Sequence, residues 1–316
     1  MIEDDASQSV QTRGLYVVAS PIGHLGDLST RAIAVLRQVE WVACEDTRVS
    51  RPLLKRLGSQ ARTLAAHQHN ERSAGEHIVA LLAEGQSVAL LSDAGTPAVS
   101  DPGAKIVSAV LEAGYRVIPI PGPSALTALA SASGIIEGAF RFEGFLPARP
   151  ASRRQRLETL AHADCPIIVF EAPHRIADTL EAIATLCGPT RWLAIGRELT
   201  KKFEEVTRLQ AGQALDWLKA EPLRSRGEFV AVIAPAGWDP GSRGAERDPA
   251  TAGPATDPDH LTLSLDALLR ELVAELGANR ASRMVERLGH RSHRDIYPRA
   301  VALANELKRV DSGGAA

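Results

Sequence analysis

LYVVASPIGHLGDLSTRAIAVL, residues 15–36, carries the reading from which the fold follows. Its first six residues, Leu15–Ser20, are apolar, brief and partly β-branched, and Pro21 and Gly23 stop them, as in a strand buried on both faces. From Leu28 to Leu36 the apolar positions recur at helical spacing. A strand, a glycine turn and a helix make half of a crossover unit. The alternation continues outward: WVAC (Trp41–Cys44), SVALLS (Ser87–Ser92) and RVIPIP (Arg116–Pro121) predict strands, with helical stretches such as Ala74–Ala83 and Ala104–Ala113 between them. Strands joined through helices run parallel and need cover on both faces, so an α/β first domain over residues 14–135 is expected.

Beyond it the pattern changes. FRFEGF (Phe140–Phe145), IIVF (Ile167–Phe170), WLAIG (Trp192–Gly196), FEEVTRLQ (Phe203–Gln210) and GEFVAVIAP (Gly227–Pro235) read as strands, with helices at Ile176–Leu186 and Gln213–Lys219. Fewer helices between strands predict a mixed sheet and an α+β second domain over 136–235. Residues 236–259, dense in Pro, Gly and charge, predict a flexible linker, and the acidic, polar residues 1–13 a disordered tail. Leu261–Leu276, Asn279–Leu288 and Ser292–Leu307 predict three helices in a small module over 260–310. Six arginines, two histidines and only two acids lie between Arg280 and Arg299, so one face of the module either contacts RNA or is simply solvated.

Composition narrows the function. The 316 residues carry 36 Lys plus Arg against 38 Asp plus Glu, a net charge of -2, so a polyanion could bind only a local basic patch. With 45% hydrophobic and 23% charged residues the chain is globular, and 4% aromatics make its core aliphatic. Cys44, Cys165 and Cys187 are odd in number and widely spaced, which excludes a disulfide framework or a thiolate zinc site. No signal sequence or membrane span is legible, so a cytoplasmic protein is expected.

Three glycine-rich turns fall at the carboxyl ends of first-domain strands, where an open α/β sheet places its ligand crevice. They are SPIGHLGDLST with Gly23, Gly26 and Asp27; LLSDAGTPAVSDPG (Leu90–Gly103) with Ser92, Asp93, Gly95, Thr96 and Asp101; and PIPGPSALTALASASG (Pro119–Gly134) with Ser124 and Ala125. The spacing matches neither GxGxxG nor a phosphate-binding loop with its lysine. Polar clusters CEDTR (Cys44–Arg48), HQHNE (His67–Glu71), FEAPHR (Phe170–Arg175) and GRELTKKFEE (Gly196–Glu205) also end strands. His67 and His69 share no helical face and have no third ligand, so no metal is expected.

Taken together, ASPIGHLGDLSTRA, CEDTR, HQHNE, LLSDAGTPAVSDPG, PIPGPSA, FEGFLP, FEAPHR and RELTKKFEE resemble, in that order, the 16S ribosomal RNA ribose 2′-O-methyltransferases built on the tetrapyrrole-methylase fold. The resemblance covers Leu15 to Pro235 and implies a two-domain enzyme, a homodimer, with S-adenosylmethionine in the cleft between the domains. Its acceptor would be the ribose 2′-hydroxyl of a cytidine in the decoding region of 16S rRNA in the small ribosomal subunit. By position, Leu25, Gly26 and Asp27, Ser92, Asp93, Ala94 and Gly95, Ser124 and Ala125, and Glu171 would lie nearest the cofactor. The usual RGTL of that pattern stands here as RLQAG (Arg208–Gly212), which leaves that segment without an assigned role.

S-adenosylmethionine has no phosphate, so the missing phosphate-binding lysine is no obstacle, and its sulfonium already activates the methyl group. The protein must chiefly align the hydroxyl with that methyl. A base, or a cation against the developing alkoxide, adds about 10²-fold or more. Glu198 as base and Lys201 as cation are the candidates, with Glu45 and Arg48 as alternates. Arg149, Arg153, Arg154 and Arg156, after FEGFLP, offer a local patch for RNA phosphates, unless Glu158 neutralises them along a helix. A small-molecule methylase and a non-catalytic RNA-binding assembly factor are the competing readings.

Overall fold

A computed structural model of the protein describes residues 10, 13–242, 265–287 and 293–312. Most of the expected tail and linker lies outside the described residues. The chain separates into two compact units, Met1–Gly244 and Ala245–Ala316.

The first unit opens with β1 (Gly14–Val18), α1 (Thr30–Gln38), β2 (Trp41–Cys44), α2 (Thr47–Leu57), β3 (Arg62–Ala65), α3 (Glu71–Ala83), β4 (Val88–Leu91), α4 (Ala104–Glu112) and β5 (Arg116–Ile120). The five strands form one sheet in the order β3-β2-β4-β1-β5, and every pairing is parallel. Strand alternation sends Tyr16 and Val18 to the face covered by Val35 and Leu36 of α1 and Leu54 of α2. Leu15 points to the opposite face, against Ile78 and Leu82 of α3 and Ile106 of α4. The α/β expectation holds for this layer. Two elements had no strong sequence signal. β3 is an edge strand of four half-exposed or exposed residues without an apolar run, and α2 contains Pro52. The α2 start is set instead by Asp46, whose carboxylate accepts the Arg48 N–H at 2.8 Å.

The second sheet contains β6 (Arg141–Phe145), β7 (Ile167–Glu171), β8 (Trp192–Arg197), β9 (Glu205–Gln210) and β10 (Phe229–Ile233), in the order β6-β7-β10-β8-β9. Only β6 and β7 pair in parallel, so the sheet is mixed, as expected. β10, last in sequence, lies centrally and all five of its residues are buried. One face packs on α6 (Pro150–Leu160), α7 (Ile176–Leu186) and α8 (Ala211–Ala220) through Leu157, Leu180 and Ala214. The other face is covered by α5 (Ala125–Ala132), whose Leu129 is fully buried against Ile168, Ala194 and Val230. Burying that leucine is worth about 2 kcal/mol, and it places the α5 N-terminus beside the loops that follow β4 and β7.

In the second unit α9 (Leu265–Leu276), α10 (Ala278–Arg287) and α11 (His293–Ser312) enclose Leu269, Val273, Ala281, Val285, Ile296 and Leu303. Arg280, Arg283 and Arg287 share the exposed face of α10. Among the described residues no helix is long and apolar enough to cross a membrane.

Candidate functional site

The strand-end loops converge on one cavity of about 360 Å³. Its first-sheet wall is Ile22 after β1, then Ala94, Gly95, Thr96, Val99, Ser100 and Asp101 after β4; Ser124 and Ala125 begin α5. Its second-sheet wall comprises Phe145, Phe170–Pro173, Leu199 and Glu228–Val230. Ser20 and Gly95 exchange backbone hydrogen bonds of 2.8 and 3.0 Å, which bind the β1 and β4 loops into one surface. Thr200 Oγ1 accepts the His24 N–H at 3.1 Å, and a Cβ on Gly23 would strike Lys201 and come within 2.8 Å of that hydroxyl. Glycine at 23 is what lets the two walls meet there.

Backbone strain is concentrated in the same loops. Besides Arg13, the non-glycine residues with positive φ are Ala98 and Ser100, at 68° and 64°, and Glu198 and Thr200, at 50° and 65°, among the described residues. Each costs on the order of 1–2 kcal/mol and persists only where surrounding contacts over-determine it.

Of the residues assigned by position to a cofactor, Ala94, Gly95, Ser124, Ala125 and Glu171 line the cavity. Leu25 and Gly26 lie in the short turn after β1, and Asp27 lines a neighbouring open groove that shares Ile22 and Ser124 with the cavity. Ser92 is buried beneath the loop, its hydroxyl donating to the Gly95 carbonyl at 3.0 Å. The Asp93 carboxylate accepts the Asp46 N–H at 3.1 Å.

Glu198 stands behind the wall rather than in it. Its Oε1 accepts both the Lys201 ammonium at 2.9 Å and the Glu228 N–H at 3.0 Å. Burial pushes this carboxyl up, but the hydrogen bonds from Lys201 and Glu228 and the charges of Lys201 and Arg197 prevail and hold it below the usual range. Lys201 also bonds Glu228 at 2.7 Å. The i,i+4 pair of Glu198 with Lys202 that helical spacing allows does not form, because positive φ at Glu198 and Thr200 keeps the segment from being helical. Arg48 is 88% exposed and clamped on Asp46 at 2.6 Å. Glu45 is raised by desolvation first and by Asp93 and Asp46 next, and His67 opposes them.

Sequence reasoning left out the cavity's aromatic side, Phe145, Phe170 and Phe229, because apolar strand residues read as core. Asp101 lies in the loop after β4, where no local spacing sets it apart from Asp93. Asp101 is pushed up to about 6, chiefly by desolvation, then by Glu45 and Asp93, against a hydrogen bond with Ser92.

The arginine run needs correction as a phosphate patch. Arg153 is buried and meets Asp178 at 3.5 Å, and Arg156 bonds Glu143 at 2.6 Å. Arg154 pairs with Glu158 at 3.1 Å on the surface of α6, which leaves Arg149 and Arg154 exposed.

Residues 14–215 match the family model of Tetrapyrrole (Corrin/Porphyrin) Methylases. A protein of Mesorhizobium japonicum called Ribosomal RNA small subunit methyltransferase I is 42% identical over 95% of both chains. One of the same name from Xylella fastidiosa is 48% identical over 69% of this chain and 80% of its own. Among solved structures, a cobalt precorrin-4 methyltransferase superposes with a TM-score of 0.53 at 16% identity, covering 70% of this chain and 95% of that one.

Proposed function

Because the chain belongs to the ribosomal RNA small subunit methyltransferase I family and is a methyltransferase on the tetrapyrrole-methylase fold, we propose that it methylates the ribose 2′-hydroxyl of a cytidine in 16S rRNA, with S-adenosylmethionine as donor. The observation that carries this reading is the cavity walled by both sheets beside an open polar groove.

The cavity suits that donor. Phe145, Phe170 and Phe229 with Ile22 and Leu199 accept a flat purine, and Gly95 and the Ser124–Ala125 turn bring backbone close. Asp101, Glu171 and Glu228 add carboxylate oxygens to the lining. When bound, the donor supplies an activated methyl group. The chain's own part is to dry and shape the cavity and to orient the hydroxyl, the largest entropic contribution available. The groove with Asp27, Ser124, Thr127, Ser131 and Thr200 offers hydroxyls to an incoming nucleotide.

Exposed Arg280, Arg283 and Arg287 of α10, with Arg149 and Arg154, would contact ribosomal phosphates, the positions that set register on RNA. A homodimer, a cytoplasmic location and the domain limits 14–135, 136–235, 236–259 and 260–310 belong to the same reading. The test is to incubate purified protein and labelled S-adenosylmethionine with small subunits from cells lacking the modification, or with a metabolite extract. Ribose methylation mapped to one cytidine of 16S rRNA is expected. Label only in small molecules would replace the reading with a small-molecule methylase, and donor binding without transfer would favour an assembly factor.

A further inference from the structure

The geometry points to Asp101 as the residue that accepts the proton of the acceptor hydroxyl, a role resting on the ribose methylation proposed above. Three carboxylates line the cavity: Asp101, Glu171 and Glu228. Glu171 is 1% exposed and fully engaged. It meets Arg175 at 3.1 Å and accepts the Thr179 hydroxyl at 2.6 Å and the Ala172 N–H at 2.8 Å. Glu228 is neutralised by Lys201 at 2.7 Å. Asp101 pairs with no lysine, arginine or histidine among the described residues. A carboxylate held by a cation is a poor base, so the uncompensated one is the one able to take a proton.

Its placement is enforced. Ala98 and Ser100 hold left-handed φ on the same loop, and Gly144 of β6 makes room for Ser100, whose hydroxyl would lie 2.7 Å from a Cβ there. Beyond Asp101, Glu71 of α3 accepts the Gly103 N–H at 2.7 Å and meets Lys105 at 3.6 Å, which ties down the loop's far end. Strain fixed from both sides at a cavity rim is a form of preorganisation. The charged groups acting on Asp101 are Glu45 from the loop after β2 and Asp93 after β4, with His67 acting on Glu45 in turn. This acidic setting, with partial burial, raises its proton affinity toward the range where a carboxylate serves best as a base at neutral pH.

In the step, the hydroxyl oxygen forms its bond to the methyl carbon while the carbon–sulfur bond breaks and sulfur keeps the pair. The hydroxyl proton moves to the Asp101 carboxylate and leaves to water after product departs. Charge balances: one sulfonium is lost and one proton is released.

The experiment compares wild type with Asp101→Asn, near-isosteric and without the charge. It reads donor affinity by calorimetry, methyl transfer to small subunits across pH 5 to 9, and the carboxyl titration of Asp101 by carbon-13 NMR in the ligand-free protein. Expected are donor affinity within about threefold, transfer slowed by about 10²-fold or more, and an acid limb near pH 6 in wild type that the variant lacks. The carboxyl resonance should titrate near the same pH. A variant that transfers at the wild-type rate, one that loses donor affinity tenfold with turnover unchanged, or an Asp101 titrating as an ordinary aspartate would each overturn the assignment. Wild type that binds donor yet leaves subunits unmodified would instead overturn the ribosomal reading, and this assignment with it.

Discussion

Replacing Asp101 by asparagine should stabilise the protein above pH 6. The carboxyl moves from 3.8 to about 6 on folding, roughly two units, chiefly because the ionised form is desolvated and secondarily because Glu45 and Asp93 oppose it. An acid whose folded value lies above its unfolded value binds its proton more tightly in the native state. Stability is therefore complete below about pH 4, falls as pH rises to about 6, and stays reduced above that. Two units at 1.36 kcal/mol each set a ceiling of about 3 kcal/mol. Asp101 keeps some solvent contact, and screening brings the figure to about 1.5 kcal/mol. For a unit of this size that raises Tm by about 4 °C. Thermal unfolding of both proteins at pH 4 and pH 8, followed by circular dichroism, measures it. The gain should be present at pH 8 and absent at pH 4. Equal gains at both pH values, or a loss at pH 8, would refute the claim that an ionised carboxylate is being held there against its solvation.

Leu129→Ala removes the side chain that α5 buries in the second sheet and should cost about 2–5 kcal/mol in urea unfolding, with donor affinity falling because Ser124 and Ala125 begin that helix. Lys201→Met leaves Glu198 and Glu228 without their shared cation and should cost about 1–2 kcal/mol at pH 7. Glu198 titrates below its ordinary 4.5, so its stabilisation exists above that value and disappears as pH falls through the lowered one. The gap between wild type and this variant should accordingly close in acid. Arg149→Glu with Arg154→Glu should weaken small-subunit binding at moderate salt while leaving Tm within about 2 °C, because both side chains are exposed. Arg153→Ala should do the reverse and lower Tm, since that arginine is buried beside α7.

The order of strands and helices, the change from parallel to mixed sheet near residue 140 and the three terminal helices were legible in the chain because hydrophobic periodicity is local and survives without neighbours. LYVVAS read as a buried strand and GEFVAVIAP as a strand, and β1 and β10 form within them, both largely buried. β3 was silent because an edge strand needs no apolar run. Glycine-rich turns marked the loops that wall the cavity, since backbone freedom is written in residue type. Which carboxylate faces the cavity was not written there. Glu198, Glu171, Glu228 and Asp101 all end strands or sit in polar loops, and each has a lysine, an arginine or an acid nearby in sequence. Only the tertiary structure decides that Lys201 turns to Glu198 and Glu228, that Arg175 and Thr179 close over Glu171, and that Asp101 is left among acids. Charge pairing and desolvation depend on distances between elements far apart in the chain, and no local spacing encodes those distances.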